Sequence, residues 1–568
     1  MIELKKSLIL FSGILLILIP YIVSGAEIKG GKDMEMQVKN FIEQHVKIVK
    51  SLYKDYSLAY WEASIKGKEE DFAKAADYQY KLEKIYTNKD EYKQIKKWNE
   101  SGQIKDPILK RQLQVLYLEY LGHQIPDELL KEIIDKSNEV EQIFNTFRGT
   151  VNSKKVTMND IEEILRTSVN SDERKAYWEA QKQVGEAVEK KLKELVKLRN
   201  KAAHLLGFSN YYVMSLYLNE QDEDTLLKIF DELDQLTRDK FKVLKAEIDD
   251  VLSKRYGIKP EEMMPWHYND SFFQEAPLIY NVDFDKYLKD VNILDYVKKF
   301  YASIGLETDD ILQRSDLYEK EGKNPHAYSI SIDKEGDIRI LMNIENNTYW
   351  LDTLLHELGH SVYDKYINKD VPFILRDASH IFTTEAIAMM FGRFSKNVKW
   401  YKEIFNSPFE NEQQSQQEAY KMLRAQALVF SRWTQVMFRF ERELYRNYDQ
   451  DLNKLWWSLV QQYQLVNPPA GRNKPDYAAK IHFSSSPVYY HNYQLGELMA
   501  SQVHAYIVKN ILKEDSLIDT TYVRKKEVGD YLKEKIFGVG ATLRWDELIK
   551  EATGESLTSK YFAEQFAK

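Results

Sequence analysis

The chain has 568 residues, with 80 Lys and Arg against 88 Asp and Glu, a net charge of −8 and no cysteine. A disulfide framework and a thiol-borne lipid anchor are thereby excluded, and without a long basic stripe nucleic acid is not expected as a partner. Glycine (22) and proline (13) are scarce for this length, which points to a mainly α-helical molecule with enough chain to bury a large core.

In chain order, the first segment reads as a secretory signal. Lys5-Lys6 precede an apolar core from Leu8 to Ile19, and Ser24-Gly25-Ala26 sets small residues at the −3 and −1 positions of a cut after Ala26. The alternative is an uncleaved anchor, because Ser7 to Ala26 is nearly long enough to span a bilayer. The expectation is an exported protein, periplasmic or secreted, that meets a membrane only if this segment is retained. Charged runs such as Glu186 to Lys201 and Asp222 to Lys254 read as solvated faces of long helices. Breaks fall near Lys29 to Asp33, Asn88 to Pro107, Tyr256 to Met264, Asn269 to Pro277 and Asn467 to Pro475. None is a Gly/Ser linker and no internal repeat is present, so residues 27–568 are expected to form a single domain.

Pro325-His326-Ala327 opens an alternating segment that turns at Lys334-Glu335-Gly336-Asp337 and returns through Ile338 to Asn343, the pattern of a β-hairpin. Tyr349 to Tyr363 follows as a proline-free, mostly apolar helix containing His356-Glu357-Leu358-Gly359-His360. Four residues of α-helix turn through roughly 400°, so both imidazoles leave one face a turn apart, where one tetrahedral Zn²⁺ can accept both. Glu357 projects from the edge of that face, placed to act as the general base of a metallohydrolase without being a ligand. A third ligand is needed. Beyond a bend at Asn368 to Pro372, a second helix-like run, Thr383 to Phe391, carries one acidic residue, Glu385, among alanines and large apolar side chains. A lone buried carboxylate needs a cation or a metal. The alternatives are that Glu385 pairs with Arg376 or Arg393, or that His380 is the ligand instead.

Further on come Leu455-Trp456-Trp457-Ser458-Leu459, then Tyr463-Gln464 and Pro468-Pro469, and finally Lys480-Ile481-His482-Phe483, Pro487 and Tyr489-Tyr490-His491-Asn492-Tyr493. With these motifs in this order, the chain from about 260 to 510 resembles the gluzincin metallopeptidases, and among them the peptidyl-dipeptidase A, or angiotensin-converting-enzyme-like, family. Oligopeptidase F and thimet-type endopeptidases are the related rival. The resemblance implies a two-lobed, mainly α metallopeptidase with a deep central cleft, a small β-hairpin beside the zinc helix, and a lid formed by the helices from about Asp33 to Ile125. It implies that His356, His360 and Glu385 hold one Zn²⁺. Tyr493 and His482 would stabilise the developing oxyanion. The strand at His326 and Ala327 would hold peptide, and Lys480 with Tyr490 would hold a terminal carboxylate. Three departures stand out. The stretch from His482 to Tyr493 is about one residue longer than the family's, which leaves Tyr490 as the alternative to Tyr493 at the zinc. The family places a glutamine two residues after a tryptophan, whereas Trp266 here is followed by His267 and Tyr268. The arginines that hold chloride in animal members correspond to Val460 and Asn492.

The chain is thus expected to be an exported zinc metallopeptidase of short peptides, releasing C-terminal dipeptides. A zinc endo-oligopeptidase is the first alternative, and a catalytically inactive helical binding protein the second.

Overall fold

The computed structural model describes residues 31–568 apart from 281, 407 and 408, so the signal-like segment 1–26 lies outside the described residues. Helices dominate. The strands among the described residues form two short antiparallel hairpins, Gly149–Val151 with Lys154–Val156 and Tyr328–Ser331 with Ile338–Leu341. The second is the hairpin expected from the sequence, in register Tyr328↔Leu341 to Ser331↔Ile338. No helix among the described residues is long and apolar enough to cross a membrane.

The described residues open with the helix Gly31–Lys66, which carries charges on one face and Met34, Val38 and Ile42 on the other. These three pack with Ile95, Trp98, Leu113, Leu116 and Tyr120 from Lys89–Glu100 and Pro107–Gly122, in a small apolar cluster separate from the main core. Further along the same first helix, Trp61 packs on Tyr328, Ile330 and Leu341 of the hairpin.

The main core runs from Val140 to Ala567, and three of its helices meet around the pentad. Asn347 caps the first, its side chain accepting the Trp350 N–H, and the helix Thr348–Lys365 then contains the whole pentad. The second, Ile381–Gly392, is apolar nearly all round, as a helix buried on every side must be. The third is His491–Tyr506. Glycine allows the first two to cross closely: a Cβ at Gly359 would stand 2.7 Å from the Ala388 Cα. A Cβ at Gly496 on the third would meet the Glu385 Cβ at 3.5 Å and the Met389 sulfur at 3.3 Å. Two positions without side chains therefore bring three backbones around Glu385.

Candidate active site

His356 and His360 leave one face of their helix with their Nε2 atoms 3.2 Å apart. The Glu385 carboxylate, delivered by the crossing helix, lies 3.6 Å from the His356 Nε2 and 3.8 Å from that of His360. The three ligand atoms lie within 4.8 Å of one another, and this is the one group of at least three such side chains with that geometry among the described residues. The other partners considered for Glu385 are engaged elsewhere. Arg376 binds Glu335 and the carbonyls of Val371 and Lys369, and Arg393 binds Glu497. His380 caps the Glu385 helix through the Phe382 N–H.

Burial lowers the His356 imidazole to about 4 and holds His360 well below its ordinary range, so neither is a cation at neutral pH. Burial also raises the Glu385 carboxyl to about 7. Two neutral imidazoles and a buried carboxylate facing one point lack a positive charge, and a divalent cation supplies it. The donor set of two nitrogens and one oxygen suits zinc, with a position left open. Thr384, unremarked in the sequence, lies one residue before Glu385, and its hydroxyl is 2.7 Å from the His360 Nδ1. This contact sets the ring so that Nε2 faces inward.

Glu357 is buried, and its Oε2 has no hydrogen-bond partner. Burial, with the nearby Glu385 charge, pushes it up to about 8, and the Ser329 backbone works in the other direction. Ser329 also ties its strand to the pentad helix: its hydroxyl is 2.8 Å from that of Ser361, which donates to the Glu357 carbonyl. The strand thus runs beside the base. His326 and Ala327 lie just ahead of it. Ala327 is half-buried, whereas His326 is exposed, its N–H donating to the Asn324 side chain.

The C-terminal segment separates its tyrosines. Tyr493 is raised by burial and then by Tyr489 and Glu385, and Tyr489 by burial and Glu385, so both stand in the field of the metal-ligand group. Tyr490, its ring 5.2 Å from that of Tyr493, has further partners of its own. Its hydroxyl accepts from the Trp433 indole at 2.7 Å, and its ring lies 5.0 Å from that of His482. Lys480 stands beside it, 5.5 Å from the centre of the Tyr490 ring and 5.2 Å from that of Phe272. The Lys480 ammonium donates to the Gln274 Oε1 at 2.6 Å. The glutamine in contact with Lys480 is therefore Gln274, and not a residue just after Trp266. The sequence hid it because the chain turns back through Asp270 to Gln274 before reaching Lys480, a path no local spacing records.

Two imidazoles one turn apart, a carboxylate from a crossing helix and a buried carboxyl beside them define a helical metallopeptidase. The model of peptidase family M3 matches residues 164–568, and that of angiotensin-converting enzyme matches residues 32–269. The chain belongs to peptidase family M3. It is 24% identical over 430 residues to angiotensin-converting enzyme of Oryctolagus cuniculus, which covers 70% of this chain and 32% of that protein. It therefore spans about a third of that relative's length. With angiotensin-converting enzyme of Haematobia irritans exigua it shares 24% identity over 494 residues, 78% of each chain. Oligopeptidase PepF of Bacillus subtilis is 40% identical over 85 residues, 14% of this chain and 12% of that protein.

Proposed function

We propose that the protein is an exported zinc peptidase that releases dipeptides from the C-terminus of short peptides. The observation that carries the reading is the pair of clusters on one framework: His356, His360 and Glu385 beside Glu357, and Lys480 with Gln274 beside Tyr490. His356, His360 and Glu385 would hold Zn²⁺, which supplies Lewis acidity toward the scissile carbonyl. Glu357 takes a proton from the attacking water and passes it to the leaving amine. Tyr493 and His482 donate toward the oxygen on which negative charge develops. The edge of Tyr328–Ser331 aligns the peptide backbone, with His326 and Ala327 at its start. Lys480, Gln274 and Tyr490 receive the terminal carboxylate, and the length of peptide between it and the scissile bond makes the product a dipeptide. Export rests on the Lys5 to Ala26 pattern.

Metal content and a cleavage map test this together. About one zinc per chain is expected, with hydrolysis abolished by a chelator and restored by zinc. On a panel of peptides with free and amidated C-termini, the free acids should be cleaved to dipeptides with a much lower KM than the amides. Lys480→Ala should raise KM at least about tenfold for free acids and spare the amides, since a hydrogen bond to a charged group is lost. Internal cleavage with no preference between the two sets would favour the endo-oligopeptidase reading. A metal-free, inert protein would leave the binding-protein reading.

A further inference from the structure

The loop that carries Gln274 is built around a side chain that the scheme above does not use. Asp270 is half-buried, and its carboxylate accepts four backbone contacts from three N–H groups. Its Oδ1 lies 2.8 Å from the Phe272 nitrogen and 3.2 Å from that of Gln274, and its Oδ2 lies 3.0 Å from the nitrogens of both Gln274 and Glu275. Between these donors Phe273 takes a left-handed φ of 51°, a conformation that a bulky residue adopts only where its surroundings impose it.

The loop's carbonyls are held from outside. The Gln464 amide donates to the carbonyls of Phe272 and Phe273, at 2.9 and 2.8 Å. The Lys182 ammonium and the Trp178 indole both donate to the Ser271 carbonyl, at 2.9 and 3.1 Å. With its N–H groups pointing at Asp270 and its carbonyls engaged on the far side, the turn has one arrangement. That arrangement sets the Phe272 ring and the Gln274 amide against Lys480. Asp270 also acts through space. Burial alone would push the Lys480 ammonium down, and the opposing influences are Asp270 first and Glu275 second. The other ionisable groups around Lys480 are Tyr490, whose ring it faces, and Lys182, which shares the Phe272 ring.

We propose that Asp270 is a positioning residue that decides selectivity for a free C-terminal carboxylate: it touches no substrate, but folds Gln274 and Phe272 onto Lys480 and gives that ammonium a fixed negative neighbour. The inference rests on the reading of Lys480 as the carboxylate-binding cation. It deepens that reading by placing the origin of the selectivity in a group behind the binding surface.

The test uses the full zinc-loaded enzyme and one peptide sequence in free-acid and amidated forms. Asp270→Asn keeps an acceptor for part of the turn but removes the charge. KM for the free acid should rise about tenfold with kcat within about twofold, because an interaction made equally in ground and transition states is weakened. The alkaline limb of kcat/KM for the free acid should move down by about one pH unit, and the amide should respond to neither change. Asp270→Glu, which keeps the charge, should leave that limb in place. Equal losses on acid and amide, or an unmoved limb in Asp270→Asn, would overturn the proposal. If Asp270→Asn does not fold, Asp270→Glu decides: its longer side chain displaces the turn that carries Gln274, so a KM increase confined to the free acid supports the proposal, and an equal increase on both overturns it. Lys480→Ala separates the two levels. If it does not discriminate acid from amide, the carboxylate reading itself falls. If it does and Asp270→Asn does not, only the role of Asp270 falls.

Discussion

The helix Gly31–Lys66 and the pentad helix Thr348–Lys365 both pack against the hairpin Tyr328–Ser331/Ile338–Leu341, but through different chemistry. The N-terminal helix reaches the turn of the hairpin with charged side chains. Lys50 pairs with Glu335 at 2.5 Å, Lys54 approaches Asp333 at 3.8 Å, and the Tyr53 hydroxyl donates to the Ser331 carbonyl. Lys50 and Glu335 are 43% and 42% exposed, so water and salt screen their attraction. Only around Trp61 does this helix bury an apolar contact with the strands. The pentad helix meets the same hairpin from the buried side, through the Ser329–Ser361 hydroxyl pair, and its other face is locked to the next helix at Gly359. Catalytic groups placed to within tenths of an ångström belong on the second kind of contact. The first kind can be exchanged at little cost.

Breaking the buried side should have the largest effects. Glu357→Gln keeps size and leaves the three metal ligands intact, yet its amide cannot accept the proton. Turnover should fall at or beyond the upper end of about 10²–10⁴, with zinc content unchanged. A purified variant that keeps more than about a tenth of the activity would show that Glu357 is not the base. Next comes Gly359→Ala. Alanine is the better helix former by about 1 kcal/mol, but the new methyl meets backbone at 2.7 Å and no side chain can rotate away. A net loss of about 1–3 kcal/mol in denaturant unfolding is expected, together with weaker zinc retention, because the crossing sets the distance from Glu385 to the histidines. Unchanged stability and zinc affinity would mean that the crossing is softer than it looks.

The exposed side should respond far less. Lys50→Ala and Glu335→Ala, singly and together, should each change stability by less than about 1 kcal/mol, and their coupling should fade as salt rises toward 1 M. A larger, salt-independent coupling would erase the contrast between the two contacts. The smallest effect expected is that of chloride. Val460 is apolar and buried, and the Asn492 side chain already accepts a hydrogen bond from Gln221. The buried Lys182 nearby has an internal partner, since Asp476 is the main influence opposing its loss of charge by burial. Activity should be nearly independent of chloride at constant ionic strength; severalfold activation would require a site built from other residues.

Much of the metal-ligand group is legible in the chain because its members act locally. The pentad's spacing is set by helix geometry, and Glu385 stands out as the one charge in an apolar run. The hairpin is equally legible, from alternation and a Gly-containing turn. What the chain alone leaves open concerns contacts between distant segments. The five residues His491, Asn492, Tyr493, Tyr489 and Tyr490 are adjacent in sequence, yet only the packing of His491–Tyr506 on the Glu385 helix shows that Tyr489 and Tyr493 share the field of Glu385 while Tyr490 faces Trp433.

Composition therefore pointed to the fold class, and short-range spacing to the pentad helix, the ligand helix and the chemistry they imply, because helix and strand geometry follow from neighbours a few residues apart. The tertiary structure decided which groups complete them: Thr384 behind His360, Ser329 beside Glu357, and Gln274 against Lys480, more than 200 residues away in the chain. Those pairings depend on where a helix crossing falls and how a loop turns back around one carboxylate, Asp270, and neither quantity is written in any local stretch of sequence.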